Sequence, residues 1–371
     1  MGNESVSYKC PNCRGPLAYT PGQGDEITCE YCETKFSVAD LDKLFATERE
    51  MAAKTEEAKE QKWEAEKAGG SWDPEEAAIL RAMTCSSCGA ELICDENTMA
   101  TQCCYCGNAT MVPGRFSGSL KPDYVIPFEK TKEDAVKAMD EFCKGKFLLP
   151  KDFTASSRVE KIQGMYVPFW LFDADVEGRA QYSATNSRVW DDGDNTITET
   201  DHFRCTRGGT MSFYRVPVDG SEDMDNTFMQ SIEPYDYSKM VPFTTTYLAG
   251  YVADKYDVDA QAAIPDADNR IRQTTADVLY NSVNGFDTVS QEDCAVAKES
   301  SSVAYAMAPV WIVSNKYKGE VYTFMMNGQT GKFVGSLPVD YGKGKRYSAL
   351  AALISLPVTY YIGKFIASLF A

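Results

Sequence analysis

Cysteine spacing constrains the fold of this chain more than any other feature of its sequence. Eight of the 13 cysteines form four C-x-x-C pairs, which fall in the order C-x2-C-x15-C-x2-C and then C-x2-C-x14-C-x2-C. Each pair makes a tight knuckle whose two sulfurs converge, so two pairs complete a tetrahedron around a zinc ion. The spacing therefore predicts two zinc ribbons and two bound Zn²⁺ per chain. The predicted ligands are Cys10, Cys13, Cys29 and Cys32 in the first ribbon and Cys85, Cys88, Cys103 and Cys106 in the second.

The last of these pairs lies in an unusually cysteine-rich stretch, Gln-Cys-Cys-Tyr-Cys-Gly at residues 102–107. The spacing assigns Cys103 and Cys106 as ligands and leaves Cys104 as a bystander within the knuckle. Replacement of a ligand by Cys104 or by Cys94 remains the alternative. Disulfide pairing would require an oxidising compartment, and residues 1–17 contain no signal-peptide pattern.

The charge of the ribbons bears on what they bind. The chain carries a net charge of −17, the first ribbon (8–36) has three basic against four acidic residues, and the second (84–110) has no basic residue. Contacts with phosphate require lysine and arginine, so nucleic acid is a poor match for these ribbons. We therefore expect protein contact, with a soluble nucleic-acid-binding regulator of transcription or replication as the alternative.

The segment between the ribbons has the composition of an exposed helix. Residues 40–68 contain no glycine or proline, and 15 of the 29 are charged. Apolar residues line one helical face only as far as Met51, which predicts a helical stalk whose first turns pack on the first ribbon. Gly69-Gly70 ends this segment, and Asp73-Pro74 then predicts the start of a short helix.

From Lys121 onward the sequence alternates between helical and strand patterns. Thr131 and Asp134 predict a capped helix over 131–144, and a second helix is predicted over 266–282. Strands are predicted at 165–172, 179–185, 211–218, 247–253, 303–314 and 320–326. Asn327-Gly328 predicts a hairpin that leads into 332–334. The predicted fold class is α+β: two small four-cysteine zinc ribbons joined by a charged helical linker, a larger α+β domain, and a C-terminal hydrophobic helix.

Two segments of the α+β domain match each other without a gap. Pro168, Trp170 and Gly178 correspond to Pro309, Trp311 and Gly319 at an offset of 141 residues. Each segment predicts a strand entered through proline, with tryptophan as a core anchor and glycine at the following turn or bulge. A duplicated half-domain around a shared sheet is one interpretation, and a chance match is the other.

Residues suited to catalysis are few. The single histidine, His202, lies three positions before Cys205, and residues three apart on a strand face opposite sides. Aspartate-rich stretches at 191–195 and 266–269 resemble calcium loops in composition only, because neither has the glutamate that such a loop requires at its end. The sequence therefore predicts a protein without enzymatic activity.

The C-terminus is apolar and follows a basic cluster, Lys343, Lys345 and Arg346. Residues 347–363 carry no charge, and 347–371 is long enough for a helix to cross a bilayer. The basic cluster would keep the rest of the protein in the cytosol, so we expect a C-terminal anchor at the cytoplasmic face of the cell membrane. The alternative is a cytoplasmic protein whose terminal helix packs on its own domain or on a partner.

These patterns divide the chain into five segments. They are zinc ribbon 1 (1–38), the charged linker (39–83), zinc ribbon 2 (84–114), the α+β domain (115–340) and the C-terminal helix (347–371).

The paired ribbons, the charged spacer and the stretches "YVIPFEKTKEDAV" and "GMYVPFWLFDADVEG" resemble a family of bacterial zinc-ribbon proteins, mostly from Gram-positive bacteria. Members are often described as "TFIIB-type zinc ribbon-containing". The resemblance covers most of the chain and implies zinc binding by the eight cysteines named above. It also implies association with membrane-stress modules that contain SPFH-domain (flotillin-like) or phage-shock-type proteins, and hence the role of a membrane-linked adaptor.

Overall fold

A computed structural model describes residues 8–11, 15–17, 25–41, 43–46, 63–95, 98, 102–116, 118–154, 162–222, 224 and 226–369. Over these residues the fold is mixed α+β, as the sequence predicts. The strands are β1 (Tyr8–Lys9), β2 (Pro16–Leu17), β3 (Glu26–Thr28), β4 (Lys35–Ser37), β5 (Leu80–Cys85), β6 (Glu91–Asp95), β7 (Met111–Arg115), β8 (Tyr124–Val125), β9 (Gln163–Asp192), β10 (Asn195–Asp219), β11 (Val241–Pro242), β12 (Val252–Asp254), β13 (Thr288–Tyr317), β14 (Glu320–Asn327) and β15 (Phe333–Gly335). The α-helices are α1 (Pro74–Ala78), α2 (Lys132–Cys143), α3 (Asn226–Ile232), α4 (Ala260–Asn281) and α5 (Tyr341–Leu369).

The chain forms two compact units, each assembled from three separate stretches of sequence. The first unit consists of Met1–Glu66, Leu171–Val218 and Ile264–Val303, and the second of Lys67–Trp170, Asp219–Ala263 and Ala304–Ala371. The five segments predicted from the sequence follow motifs and composition, whereas these units combine stretches that are distant along the chain. The predicted segment boundaries stay predictions.

In the first unit, β9 pairs with β10, and α4 packs against this pair. Leu279 and Val283 lie in one buried cluster with Tyr182 of β9. Helix and strand approach closely at Gly178, where an added Cβ would lie 2.4 Å from Cγ2 of Thr275. The sequence predicts a turn or bulge at Gly178, but the structure places this glycine within β9, where a side chain would collide with the helix.

The second unit is built on a sheet that includes the strands of the second ribbon. From one edge the strand order is β11, β8, β13, β9, β12, β6, β5 and β7. The strand β12 pairs in parallel with β9 and antiparallel with β6, which connects the ribbon strands β5 to β7 to the larger sheet. Helix α2 covers a core in which Met139 packs with Phe153, Trp311 and Phe324.

The two tryptophans of the repeated motif occupy similar environments in the second unit. Trp170 of β9 and Trp311 of β13 are both buried, and both strands are 30 residues long. The indole N–H of Trp170 donates to the carbonyl of Val258 (2.8 Å), and that of Trp311 donates to the carbonyl of Lys130 (2.9 Å). Both side chains act as core anchors with their single donor satisfied, as expected for buried tryptophan. Duplication of a half-domain stays a hypothesis.

The linker ends in a buried anchor, which the sequence does not predict. Residues 38–41 and 43–46 are helical, and residues 47–62 of the predicted stalk lie outside the described residues. Trp63 is only 4 % exposed, and its ring meets Phe172 edge-to-face at 4.9 Å. Its indole N–H donates to Asp268 (2.9 Å), and the Lys298 ammonium lies 4.0 Å from the ring centroid. The prediction of an exposed helix up to residue 68 is therefore wrong at its end, where a 3-10 turn follows this tryptophan.

Two further local predictions agree with the structure, and a third agrees only in part. The helix at 131–144 is confirmed as α2, with a capping box between Thr131 and Asp134. The hairpin after Asn327 is confirmed by the antiparallel pairing of β14 with β15. The strand predicted at 247–253 is wrong in its first half, because Thr245–Leu248 forms a 3-10 turn and only the last residues enter β12.

The C-terminal helix α5 begins at Tyr341, six residues earlier than predicted. Its base is attached to the second unit, because Asp340 N–H donates to the Leu148 carbonyl (2.8 Å) and Lys343 Nζ donates to the Leu149 carbonyl (2.6 Å). Among the described residues, none of the helices combines the length and the apolar character needed to cross a bilayer. The predicted membrane-spanning anchor over 347–371 is therefore not supported. Serine, threonine, tyrosine and glycine lower the mean hydropathy of its charge-free stretch, and Lys364 interrupts the apolar residues that follow.

Candidate metal centres

The four predicted ligands of the second ribbon come together at the end of β5. The Sγ atoms of Cys85 and Cys106 are 3.6 Å apart, and so are those of Cys88 and Cys103. All four sulfurs lie within 4.8 Å of one another. A tetrahedral zinc site with Zn–S bonds of about 2.3 Å requires sulfurs about 3.8 Å apart, which this arrangement nearly meets. The cluster could hold one zinc ion.

Backbone hydrogen bonds build the same knuckle at both pairs of this ribbon. Cys85 N–H donates to the Ala90 carbonyl (2.9 Å) and Gly89 N–H donates to the Cys85 carbonyl (3.0 Å). In the second pair, Gly107 N–H donates to the Cys103 carbonyl (3.0 Å). Gly89 and Gly107 have φ angles of +86° and +71°, a left-handed conformation that glycine adopts without strain. The glycine after each pair therefore helps to form the turn that directs the two sulfurs toward each other.

Ionisation of the cysteines differs across the cluster. Burial opposes the ionisation of Cys85, but hydrogen bonds from the backbone amides of Cys88 and Ser87 outweigh it and lower the pKa of this thiol to about 6. Burial raises the pKa of Cys103 and of Cys88. A thiolate is the form that binds metal, so metal binding requires these thiols to lose their protons.

The two cysteines considered as alternative ligands, Cys94 and Cys104, lie outside the cluster. Cys104 is buried, with its Sγ 3.5 Å from the Sδ of Met165, and its carbonyl accepts the hydroxyl of Ser314 (2.5 Å). The Sγ of Cys94 is directed to the carbonyl of Arg81 (3.9 Å). The sulfur cluster of the second ribbon therefore consists of the four cysteines that the spacing names, and their binding of zinc stays a prediction.

Three cysteines of the first ribbon also converge. The sulfurs of Cys10, Cys29 and Cys32 lie within 4.8 Å of one another, and those of Cys10 and Cys32 are 3.6 Å apart. Cys29 N–H donates to the Thr34 carbonyl (2.9 Å), which repeats the knuckle pattern of the second ribbon. Cys13, the fourth predicted ligand, lies outside the described residues. This second cluster could also hold zinc. None of the described cysteines forms a disulfide.

The remaining residues considered from the sequence do not assemble into a site. His202 is exposed on β10 while Cys205 is buried, so their side chains lie on opposite sides of the strand. The stretch 191–195 contains the two-residue turn between β9 and β10, and Asp191 beside this turn accepts the hydroxyl of Thr196 (2.9 Å). Asp268 lies on helix α4 and accepts the indole N–H of Trp63.

Sequence comparison supplies the family. The chain is 34 % identical over 340 residues to the uncharacterized protein YdjG of Bacillus subtilis (strain 168), an alignment that covers 91 % of this chain and 92 % of YdjG. The chain belongs to the YdjG family. No protein-family model matches it, and no solved structure matches it. Because the alignment covers nearly all of both chains, membership extends well beyond the ribbons.

In this YdjG-family protein the second ribbon is integrated into the α+β domain, a feature that the sequence did not reveal. Leu92 and Ile93 of the ribbon strand β6 pair with Asp254 and Ala253 of β12. The knuckle residue Cys104 contacts Met165 of β9 and Ser314 of β13. The four-cysteine cluster of the second ribbon is thus adjacent to the core of the second unit, so an ion held there would contribute to the stability of that unit.

Proposed function

We propose that this YdjG-family protein is a non-enzymatic zinc-binding adaptor that recruits partner proteins through helix α5. The exposed apolar surface of α5 is the observation that carries the proposal. Leu353 is 69 % exposed and Leu356 is 67 % exposed, although leucine is normally buried. The exposed large side chains of the described part of α5 beyond its base are Tyr347, Leu350, Leu353, Ile354, Leu356, Val358, Tyr360, Tyr361 and Ile362.

These side chains are not spread evenly around the helix. At about 100° per residue, Leu350, Leu353, Ile354 and Tyr361 fall on one face. The opposite face carries small and polar residues, Ser348, Ala352, Ser355 and Thr359. Ser355 and Thr359 donate their hydroxyls back to carbonyls of their own helix, so they need no external partner. A helix with this division fits an apolar groove on another protein.

The energy available from such docking is large. Burying each large apolar side chain contributes about 1.5–3 kcal/mol, and association costs about 4–15 kcal/mol in lost freedom. Several such side chains must therefore be buried together in a complementary groove to offset that cost. The resemblance noted from the sequence makes SPFH-domain and phage-shock-type proteins the first partners to test.

The ribbons have a structural role in this proposal. Zinc binding to a structural site contributes roughly 10–16 kcal/mol to folding, which substitutes for a core in so short a segment. The second ribbon continues the sheet from which the α5-bearing unit is built. Zinc therefore stabilises the unit that holds the base of the docking helix.

We expect substitution of the apolar face of α5 to abolish partner binding. A photo-reactive amino acid at Leu350 in the full-length protein, expressed in its native cells, should form discrete cross-links to protein partners. Adding Leu353→Glu should abolish them, because it places a charge in an apolar groove. The matched control is Ser355→Glu on the small polar face, which should preserve the cross-links. Equal loss with both variants, or cross-links only to lipid or to a second copy of the chain, would contradict the proposal.

We also expect no appreciable binding to nucleic acid. The second ribbon lacks cations, so it cannot gain the counterion-release free energy that supplies non-specific affinity. In electrophoretic shift assays at about 150 mM salt, the full-length protein should not retard duplex DNA, single-stranded DNA or RNA. Sub-micromolar binding with a steep salt dependence would favour the regulator of transcription or replication instead.

A further inference from the structure

A polar groove in the first unit carries an inference that deepens the proposed function. Three strands line a cavity of about 400 Å³. Its polar lining comes from β9, β10 and β13, and the residues used below are Asp173, Asp175, Ser212, Tyr214 and Ser300. We call this cavity the Asp175 groove.

Asp175 is held as a charged, pre-oriented carboxylate. Its Oδ1 accepts the hydroxyl of Ser212 and its Oδ2 accepts the hydroxyl of Ser300, both at 2.7 Å. These two hydrogen bonds lower the pKa of Asp175, so it is ionised at neutral pH. Its side chain is nevertheless exposed, and within the described part of the chain no lysine or arginine forms an ion pair with it.

The groove offers hydrogen-bond acceptors at the site where a ligand would bind. A carboxylate has about four lone-pair positions, and the two serine hydroxyls use one on each oxygen. Because both hydroxyls donate to Asp175, their own lone pairs are available to accept. A group that donates several hydrogen bonds in a plane and accepts none satisfies such a site, and guanidinium is that group.

Beside the groove, a guanidinium of the chain itself contacts an aspartate and a tyrosine of the lining. The guanidinium of Arg215 lies 3.2 Å from Oδ2 of Asp173 and 5.0 Å from the ring centroid of Tyr214. Arg215 has a φ angle of +55°, an unusual conformation for a residue other than glycine, and its N–H donates to Oδ1 of Asp173 (2.6 Å). Asp173 thus forms an ion pair with an arginine of the same chain, whereas the carboxylate of Asp175 is exposed to solvent. Tyr214 is 68 % exposed.

We propose that the Asp175 groove binds an arginine side chain from a basic segment of a partner protein. The carboxylate of Asp175 and the serine hydroxyls accept the guanidinium N–H groups, and Tyr214 contributes an aromatic surface. The net charge of −17 attracts a basic segment from a distance. This proposal rests on the proposed adaptor function in one respect: it takes the arginine to come from a partner protein. Binding at the groove requires neither the apolar face of α5 nor a particular partner.

Fluorescence anisotropy with labelled hexa-arginine and hexa-lysine peptides tests the groove on purified full-length protein. At about 150 mM salt, where long-range attraction is screened, the arginine peptide should bind several-fold more tightly than the lysine peptide. Asp175→Asn, which keeps the size of the side chain, should weaken arginine-peptide binding by about tenfold, the loss expected for one charge-assisted pair.

Asp194→Asn is the matched control, because Asp194 is exposed in the turn between β9 and β10 and its replacement changes the net charge equally. It should change affinity by less than about twofold. Tyr214→Leu, at a position that is 68 % exposed, should weaken binding by about threefold and provides the test if Asp175→Asn fails to fold. Equal effects of the two aspartate variants, no preference for arginine, or no binding would overturn the proposal. Those results would leave the cross-linking test of α5 unaffected, so the two proposals fail separately.

Discussion

Replacing Cys103 by serine should remove one zinc ion per chain and unfold the second ribbon. The variant retains three sulfurs, and a structural Zn²⁺ site that loses a thiolate loses most of the roughly 10–16 kcal/mol that metal binding contributes to folding. Because β5 to β7 continue the sheet of the second unit, we expect the loss to spread beyond the ribbon. Metal analysis and urea denaturation of the purified variant measure both effects.

Cys104→Ser is the control one residue away. Cys104 lies outside the sulfur cluster and is buried next to Met165. Its replacement should leave the zinc content unchanged and cost about 1–3 kcal/mol, because it buries a hydroxyl among apolar groups. Loss of zinc from Cys104→Ser with retention in Cys103→Ser would show that the ligand assignment is wrong.

Trp63→Ala should destabilise the first unit by about 3–5 kcal/mol, the range measured for truncation of large buried aromatic side chains. The substitution opens a cavity beside Phe172 and removes the indole donor to Asp268. It also removes the ring over which the Lys298 ammonium lies. Chemical denaturation followed by circular dichroism, at fixed zinc concentration, measures the free energy of unfolding.

The control for Trp63 is a tryptophan of the same unit with a different environment. Trp190 is 45 % exposed near the end of β9. Trp190→Ala should cost less than about 1 kcal/mol, because few contacts are lost at an exposed site. Equal destabilisation by the two substitutions would indicate that Trp63 does not anchor the linker.

The features that could be predicted from the sequence are formed by contacts between residues close together along the chain. A zinc knuckle is built within a few residues of each cysteine pair, so its spacing and its following glycine indicate the geometry directly, as at Cys85 and Gly89. Helix α2 was predictable for the same reason, because Thr131 and Asp134 form its capping box locally.

The features that were missed depend on residues far apart in the sequence. Trp63 is one apolar residue within a strongly charged segment, and only its contacts with Phe172 and Asp268, more than 100 positions away, explain its burial. The pairing of β6 with β12 likewise joins segments about 160 residues apart. Periodicity within a segment contains no information about such partners.

The C-terminal helix shows a different limit. The sequence correctly indicates a long helix there, because it lacks charges and contains many helix-forming residues. Length and absence of charge are not sufficient for a membrane span, which also depends on mean hydropathy over the segment. The hydroxyl-bearing residues Ser348, Ser355, Thr359 and Tyr360 lower that mean, and the first three also lie on the small polar face opposite the docking surface.

Zinc-edge X-ray absorption on the purified full-length protein, combined with its metal content, tests the central claim most directly. The four-cysteine cluster of the second ribbon, and the three-cysteine cluster of the first completed by the predicted ligand Cys13, predict two zinc ions per chain and a single shell of four sulfurs at about 2.3 Å. Fewer than two zinc ions, or a shell that contains nitrogen or oxygen ligands, would contradict the account of the ribbons as two tetrathiolate centres.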